Sequence, residues 1–510
     1  MRMPGKFYEI VIKQKEVILI TFLFLLIYLF LSWKLNIWED EVYTLKTISN
    51  NSFINLLRAS IFFEGQPPFY FIIAFFWSKI SDSVFFMRIL STLFTISSGI
   101  LLYMLYKKNS VNVNWWVLIL AFANPFMIYL ATEIRCYSLV LLLSLLIIHL
   151  FLQFYCNQNL PPFIRVIFIV LSIAAVNTQY FVAFLLVSNG VFLLIKGYKK
   201  TFLIYLMDMF FVLLSLAWVP FVVFNQIEGY IFKESAIIFK DIFRFILGRI
   251  DDYMFFRYSF PFKIPGYIFE ILFVLTILIY LSFKRVIKKF FLDNSYLIVQ
   301  VAIIAFCFML VYPVLARGPI NIRHTTVLFP ATFLLFLRSL DYIQKKHFKG
   351  FLISAIFIFY SISSFNSYKS FVKYYDIHES IDYLSGKSKE NEPIVLVLHY
   401  LAEPFIYYFE GSNEINILPP VALDYLTKWD ATDLAKPAGK EFIEKLFSRI
   451  SKNNSFWIIN LNTPAYKLPD LVTIDSLVHN TYKIETDTLI SDPKRYKTYL
   501  TIQMRKVKHN

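Results

Sequence analysis

The sequence predicts a polytopic α-helical membrane protein of about eleven transmembrane helices with a C-terminal extracytoplasmic α/β domain. Three observations carry this prediction. Of the 510 residues, 58% are hydrophobic, and apolar runs of bilayer-spanning length recur along the chain. Clusters of lysine and arginine occur mainly in every second loop between these runs. Beyond about Phe371, the apolar runs shorten to the length of strands.

The apolar runs place the spans in order along the chain. They cover about residues 17–33, 83–106, 114–131, 137–155, 163–178, 180–195, 201–224, 266–283, 295–315, 325–340 and 350–366. At about 1.5 Å of rise per residue, such runs match a hydrocarbon core of ~30 Å. No small-residue cleavage site follows the first run, so it is predicted to be a retained anchor.

The basic residues assign a side of the membrane to each loop. Alternate loops collect Lys13, Lys15, Lys107, Lys108, Arg165, Lys196, Lys199, Lys200, Lys284, Arg285, Lys288, Lys289, Lys345, Lys346 and Lys349. The positive-inside rule assigns these loops to the cytoplasm. The formal charge of +15 is therefore a topology signal, and it does not indicate a nucleic-acid partner. The membrane domain is predicted at 1–370, with a long outer loop at 34–82, and the soluble domain at 371–510.

Within the soluble domain, short apolar runs predict strands and helical periodicity predicts helices. The predicted strands are Ile394–Leu398, Phe456–Leu461 and an edge strand around residues 500–504, and the predicted helices lie near 376–385, 402–410 and 440–452. Alternation of apolar with polar residues supports the last strand.

Three consecutive carboxylates follow the first span, in Trp38-Glu39-Asp40-Glu41. Acidic groups at the exit of a membrane helix lose part of their hydration and are often functional. An alternative is that they cap a helix over Val42–Leu57 at its positive end. Nothing in the sequence requires a metal, although adjacent carboxylates are able to hold Mg²⁺ or Mn²⁺. The three cysteines form no CxxC pair, so neither a zinc site nor a disulfide framework is indicated.

Further polar residues stand at other predicted outer boundaries. They are Gln66 in the first loop, Glu133, Arg135 and Tyr137, Gln179 and Tyr180, and Arg317, Arg323 and His324. An arginine at a membrane boundary is costly unless it is paired or faces a polar cavity. A guanidinium suits phosphate binding, whereas the alternative is that Arg135 pairs with Glu133 or contacts headgroups. For His324 and for Gln179 a purely structural role is the alternative.

Taken in order, these motifs resemble those of the integral-membrane GT-C glycosyltransferases of the protein mannosyltransferase and lipid A aminoarabinose transferase type. Asp40-Glu41, Gln66-Pro67-Pro68-Phe69-Tyr70, the Glu133–Tyr137 segment and Asn321-Ile322-Arg323-His324 resemble four family motifs. Thr178-Gln179-Tyr180-Phe181 is similar to a further element of bacterial members. Gln66 and Gln179 stand where the family has histidine, and His324 stands where it has tyrosine.

The resemblance implies an inverting hexosyl or pentosyl transferase that uses a polyprenyl-phosphate-linked sugar as donor. Asp40 would deprotonate the acceptor hydroxyl. Glu41 would either position the acceptor or orient the Asp40 side chain. Arg135, Arg323 and Arg317 would bind the donor phosphate, while Glu133, Tyr137, Gln66, Gln179, Tyr180 and His324 would position substrates. The acceptor would be a glycan, lipid or protein. The protein would lie in a bacterial inner membrane, where membrane lipids surround its spans. The site and the soluble domain would face the periplasmic or extracellular side.

Two other functions remain open at this stage. A transporter or flippase of lipid-linked glycans predicts charged residues in mid-span and related halves. Asp208 and His149 are the nearest such residues, and the sequence contains no visible repeat. A non-catalytic membrane assembly or acceptor-binding protein predicts that Asp40 is dispensable.

Overall fold

A computed structural model describes residues 4–50, 52–107, 115–157, 161–219, 287–315, 322–370, 377–397, 399–418, 438–453, 455–462, 469–490 and 501–509, with four isolated positions between 248 and 276. The chain divides into two compact units. The first unit combines Met1–Trp33 with Gly65–Asn366, and the second combines Lys34–Glu64 with Ser367–Asn510. Arg317 and most of the predicted span 266–283 lie outside the described residues.

The helices are numbered in chain order across both units. They are α1 Pro4–Lys34, α2 Glu39–Ile48, α3 Phe53–Arg58, α4 Phe69–Ser78, α5 Val84–Lys107, α6 Trp116–Ala123, α7 Pro125–Ala131, α8 Tyr137–Leu150, α9 Pro162–Val176, α10 Val182–Ile195, α11 Lys199–Ser215, α12 Ile287–Asp293, α13 Ser295–Leu315, α14 Phe329–Asp341, α15 Lys346–Ser370, α16 Ile377–Ser385, α17 His399–Tyr408, α18 Lys440–Ile450 and α19 Pro469–Thr481. The strands are β1 Ile394–Val397, β2 Ile415–Leu418, β3 Ser455–Asn462, β4 Tyr482–Ile490 and β5 Thr501–His509.

Apart from 266–283, which the structure describes only at isolated positions, each predicted span overlaps one helix or a pair of helices within the described ranges. The predicted span 114–131 is divided at Asn124, where α6 ends and α7 begins. Pro125 has no backbone N–H and occupies the first position of α7, which a proline tolerates. The Asn124 side chain accepts a hydrogen bond from the Phe126 N–H at 2.9 Å and caps α7. The helix predicted over Val42–Leu57 is likewise interrupted, between α2 and α3.

Four helices in the described part of the chain are long and apolar enough to cross a membrane. They are Lys15–Lys34, Val84–Lys107, Tyr137–Tyr155 and Lys346–Phe365, and α12 with α13 would form a fifth span bent by 76°. Helices α4, α9 and α10 are apolar but shorter, and α4 was not predicted. The count of eleven spans therefore stays a prediction.

Close packing joins α1, α5 and α6 around Phe122. An added β-carbon at Gly99 of α5 would lie 2.1 Å from the Phe122 ring, closer than any carbon contact allows. The Tyr28 hydroxyl of α1 donates to the Phe122 carbonyl at 2.7 Å. Glycine at position 99 is thus required for the ring of Phe122 to lie against α5.

An ion pair between a buried carboxylate and a partly exposed arginine joins α9 to α11 in the same unit. Arg165 donates to both carboxylate oxygens of Asp208, with Nη2 at 2.5 Å from Oδ1 and Nε at 3.1 Å from Oδ2. The Tyr155 hydroxyl donates to Oδ2 at 2.6 Å, and Asp208 is fully buried. Charged groups in apolar surroundings need such partners.

The second unit contains a five-stranded sheet with helices on both faces. The strand order is β2-β1-β3-β5-β4, in which β2, β1 and β3 are parallel while β5 is antiparallel to both β3 and β4. Alternate residues of β1 point to opposite faces: Ile394 and Leu396 pack with α16 and α17, whereas Val395 and Val397 pack with α18 and α19.

The prediction that the last strand lies at an edge is wrong, because β4 pairs with β5 and takes that position. β4 was not predicted from the sequence. Its residues are mostly polar and exposed, which suits an outer strand with one side facing solvent but leaves no apolar alternation to detect.

Glu392, just before β1, connects β1, β3 and β5 through its buried carboxylate. It is 3% exposed, and it accepts hydrogen bonds from Ser455 at 2.8 Å, Trp457 Nε1 at 3.0 Å and the Lys389 N–H at 3.2 Å. Lys506 Nζ lies 2.6 Å from Oε1. Burial alone would raise the pKa of Glu392, but Lys506 and the other donors outweigh it and lower the pKa below its ordinary value.

We expect Glu392→Gln to destabilise the second unit by roughly 1–3 kcal/mol at neutral pH. Because folding lowers the pKa of Glu392, its stabilisation is complete above the ordinary glutamate pKa of about 4.3 and is lost as the pH falls through the lower folded value. Hydrogen exchange of β1 and β3 peptides in the full chain, measured from pH 7 downwards, checks this. Glu485→Gln, at an exposed position of β4, is the matched control. A difference from wild type that stays constant at every pH would contradict the prediction.

Candidate active site

The predicted site residues divide between the two units. The first unit contains Gln66, Glu133, Arg135, Tyr137, Gln179, Tyr180, Arg323 and His324, and the second contains Asp40 and Glu41. Each group is built by different elements.

The turn between α7 and α8 carries two of the predicted charged residues. Glu133 is 3% exposed and Arg135 is 6% exposed, so both are buried. A helix that ends inside the protein leaves carbonyl groups without intrahelical donors. Two hydroxyl side chains of α5 supply the missing donors: Ser91 donates to the Glu133 carbonyl, and Thr92 donates to the Ala131 carbonyl at 3.0 Å. These bonds fix the path of the backbone through the turn.

Tyr137, the first residue of α8, is where the predicted segments meet. Its hydroxyl lies 3.5 Å from Gln66 Nε2, a long hydrogen bond. The ring of His324 contacts the Tyr137 ring edge to face, with centroids 5.8 Å apart. The guanidinium carbon of Arg323 lies 5.7 Å from the centre of the same ring, within the range of a cation–π contact. Residues from two distant parts of the chain thus converge on the Tyr137 side chain.

Cys136 joins this cluster, although it is not among the predicted site residues. Its thiol donates to Gln66 Oε1 at 2.9 Å, and Cys136 is 2% exposed. The Gln66 amide therefore contacts both Cys136, through its oxygen, and Tyr137, through its nitrogen. The only signal in the sequence was the position of Cys136 inside the Glu133–Tyr137 motif.

Arg323 lies in a 3₁₀ turn, Ile322–Leu328, that directly precedes α14. The Tyr253 hydroxyl donates to the Ile322 carbonyl at 3.0 Å, and the Thr326 hydroxyl donates to the Arg323 carbonyl at 2.5 Å. Asn124 in turn donates to the Tyr253 carbonyl at 2.9 Å. The break between α6 and α7 therefore also supports the segment that carries Arg323.

Gln179 and Tyr180 lie in the turn between α9 and α10. Gln179 is 5% exposed, while Tyr180 is half-buried and contacts Trp218, with ring centroids 6.3 Å apart. The Phe69 N–H donates to the Asn177 carbonyl at 2.9 Å. This bond joins the turn to the segment that follows Gln66, so the two motifs are neighbours in the first unit.

In the second unit, the three acidic residues form the first turn of α2 but differ in environment. Glu39 is 5% exposed and accepts a hydrogen bond from the Tyr43 hydroxyl. Glu41 is fully buried, and its Oε2 accepts from the Trp38 N–H at 3.4 Å, which caps the helix. Of the three acidic residues, Asp40 is the one that is partly exposed, although its Oδ2 atom is buried.

The turn that carries Asp40 is held by Thr44, one helical turn later. The Thr44 hydroxyl donates to the Asp40 carbonyl at 3.1 Å, and it also lies 3.4 Å from Glu64 Oε1. Glu64 ends the loop that belongs to this unit. A second, partly exposed carboxylate is thereby brought beside the acidic turn, twenty residues along the chain.

Arg88 is a buried charged residue that was not predicted as a site residue. It is fully buried in α5, and its Nη1 donates to the Ser32 carbonyl at 2.8 Å. The available signal was an arginine inside an apolar run, which is costly and often functional. Among the residues that the structure describes, no group of three or more His, Cys, Asp or Glu side chains is arranged to hold a metal ion.

Comparison with known proteins shows the fold. No family model and no curated protein matches the sequence. A crystal structure of ArnT from Cupriavidus metallidurans in the apo state matches with a TM-score of 0.54 and 9% identity, covering 96% of this chain and 97% of that one. The structure of the same ArnT bound to undecaprenyl phosphate gives a TM-score of 0.50 at 11% identity, covering 97% and 98%.

The two chains therefore share a fold over nearly their whole length. Together with the long apolar helices, this confirms that the chain is a polytopic helical membrane protein.

We expect Ser91→Ala to lower the stability of the first unit by about 1–3 kcal/mol, because it leaves the buried Glu133 carbonyl without its donor. Ser98→Ala is the matched control on the same helix, since the Ser98 hydroxyl donates only to the Phe94 carbonyl of α5 itself. Thermal unfolding of the purified variants in detergent checks this. Equal melting temperatures for both variants would contradict the assigned role of Ser91.

Proposed function

We propose that this protein is an inverting glycosyltransferase that moves a sugar from a polyprenyl-phosphate donor to an acceptor hydroxyl. The observation that carries the proposal is the convergence of Gln66, Arg323 and His324 on Tyr137. The fold shared with ArnT supports it, because ArnT is a lipid A aminoarabinose transferase and one of its structures contains undecaprenyl phosphate.

In the proposed reaction, the acceptor oxygen attacks the anomeric carbon as the bond from that carbon to the phosphate oxygen breaks. The Asp40 carboxylate takes the hydroxyl proton, and polyprenyl phosphate departs with the bonding electrons. A hydroxyl is a poor nucleophile unless its proton is removed in the transition state. Among the three acids, Asp40 suits this role because it is partly exposed, whereas Glu39 and Glu41 are buried. Glu41 serves by holding the turn on which Asp40 lies.

Positive charge is needed where the phosphate develops negative charge. Arg135 is nearly buried, and a guanidinium in such surroundings interacts strongly with an anion. Arg323 lies partly exposed beside the Tyr137 ring, which holds its planar fork in one orientation. We assign phosphate binding to Arg135 and Arg323, with Arg317 as a third cation, and substrate positioning to Glu133, Tyr137, Gln66, Gln179, Tyr180 and His324.

The proposed topology has eleven spans and puts the acidic helix and the α/β domain on the outer face of a bacterial inner membrane. Soluble nucleotide sugars are excluded from that face, so a lipid must carry the donor. Membrane lipids surround the spans, and the acceptor is a glycan, lipid or protein. The sugar is a hexose or pentose. Mg²⁺ or Mn²⁺ is compatible with the proposed mechanism, although none of its steps requires a divalent cation.

The alternative of a transporter or flippase gains no support from the mid-span carboxylate. Asp208 is fully buried and accepts hydrogen bonds from both Arg165 and Tyr155. A residue that carries a substrate or a proton across the membrane must instead exchange partners during transport. The structural role of joining α9 to α11 is enough to explain why Asp208 lies within a span.

We expect Asp40→Asn to lower kcat by about 10²–10⁴-fold, the usual contribution of a general base. Wild type and variant are purified and used at equal concentrations. The measurement is transfer of a radiolabelled sugar from its polyprenyl-phosphate carrier to acceptors in a membrane extract. Asp382→Asn makes the same change at an exposed position of the second unit and should leave transfer unchanged. Equal transfer by Asp40→Asn and wild type would refute the mechanism.

We expect Arg135→Gln and Arg323→Gln each to lower kcat by about 10²–10³-fold, because each removes positive charge from the leaving phosphate. Both variants should also weaken inhibition by free polyprenyl phosphate, which is the product. Arg323→Lys should recover only part of the loss, since an ammonium lacks the planar fork. Arg449→Gln, at an exposed ion pair of α18, is the control. Unchanged product inhibition in both glutamine variants would exclude these arginines from the phosphate site.

A further inference from the structure

Two contacts within the second unit fix α2 against α17, a helix of the α/β domain. The Ile37 N–H, two residues before α2, donates to the Tyr408 hydroxyl at 2.9 Å. Near the other end of α2, Lys46 Nζ forms an ion pair with Glu403. The two partners on α17 lie more than 350 residues later in the chain, so the acidic helix belongs to a unit otherwise made by the C-terminal domain.

The environment of each contact makes it specific. Glu403 is 5% exposed, and a carboxylate so buried is stabilised chiefly by a charged partner. The Lys46 side chain is 37% exposed. The ring of His378 lies 4.2 Å, centre to centre, from that of Tyr408, which restricts the direction of the Tyr408 hydroxyl. Each end of α2 therefore contacts an α17 side chain whose position is restricted, Tyr408 by the His378 ring and Glu403 by burial.

Between these two points, α2 is internally fixed. The Tyr43 hydroxyl donates to Glu39, and the Thr44 hydroxyl donates to the Asp40 carbonyl at 3.1 Å. Asp40 and Lys46 lie six residues apart, about 9 Å along the axis at 1.5 Å per residue. A rotation or tilt of α2 on α17 therefore displaces the Asp40 carboxylate directly, with no loop to absorb the movement.

We propose that Lys46 and Glu403 are positioning residues for the reaction: through them the α/β domain sets the place and direction of Asp40. The inference rests on the proposed role of Asp40 as the base. It gives the C-terminal domain a role in the chemical step, because the domain would position the base. Its specific consequence is that loss of the ion pair lowers kcat while the KM for the donor is kept, because donor phosphate binding is assigned to the other unit.

The experiment compares purified full-length Glu403→Gln, Lys46→Met and the double variant with wild type. We expect each single variant to lower kcat by about 10–100-fold, the cost of a misplacement of about 1 Å, with an unchanged donor KM. The double variant should be no slower than the slower single variant, since both remove the same contact. Lys46→Arg keeps the charge and should retain most of the activity.

Glu414→Gln is the matched control, because Glu414 forms an exposed ion pair with Arg449 in the same domain. It should turn over like wild type. Thermal unfolding of each variant separates positioning from folding, and Lys46→Met, on the more exposed partner, decides the matter if Glu403→Gln does not fold. The inference is overturned if the Lys46 and Glu403 variants match Glu414→Gln in kcat, if their losses are additive, or if kcat falls only in proportion to the folded fraction.

Failure of this inference is distinguishable from failure of the proposed function. If Asp40→Asn is inactive while Glu403→Gln and Lys46→Met turn over normally, the base assignment stands and the positioning role is wrong. If Asp40→Asn retains wild-type transfer, the proposed function fails whatever the other variants do.

Discussion

The first unit depends on one constraint, which is that the helix interruption between α7 and α8 must have its backbone groups satisfied inside the protein. Ser91 and Thr92 of α5 meet this requirement at two carbonyls. Once the turn is fixed, Tyr137 begins α8 at a defined place, and Gln66 and Arg323 are arranged around its ring. The arrangement of side chains around Tyr137 therefore depends on the two hydrogen bonds from Ser91 and Thr92 to the backbone of this turn.

Much of the helical fold was predictable because long apolar runs can only be buried or face lipid, and a helix satisfies their backbone internally. The break at Asn124 was not predicted, since Pro125 at the start of a helix costs little and leaves hydropathy unchanged. β4 was missed because an outer strand keeps polar residues on its exposed side. Its absence from the prediction in turn made β5 look like the edge.

The candidate site residues stand out in the sequence by their type, but their partners in the fold do not. Residues such as Arg135 and Arg323 are conspicuous because charge at a membrane boundary is expensive. That Tyr137 joins Gln66 to Arg323 depends on tertiary packing, which no spacing in the chain encodes. The same holds for the assignment of α2 to the C-terminal unit: Lys46 and Glu403 lie 357 residues apart, and neither is unusual in its own segment.

The ion pair between Arg165 and Asp208 also bears on how the chain enters the membrane during synthesis. The two charges reach the translocation machinery on separate helices, 43 residues apart. A carboxylate at the centre of an isolated helix opposes insertion by roughly 2.5–3.5 kcal/mol, and its cation has been made first. Pairing with Arg165 offsets this cost, so α11 is expected to be stable in lipid only with α9 beside it.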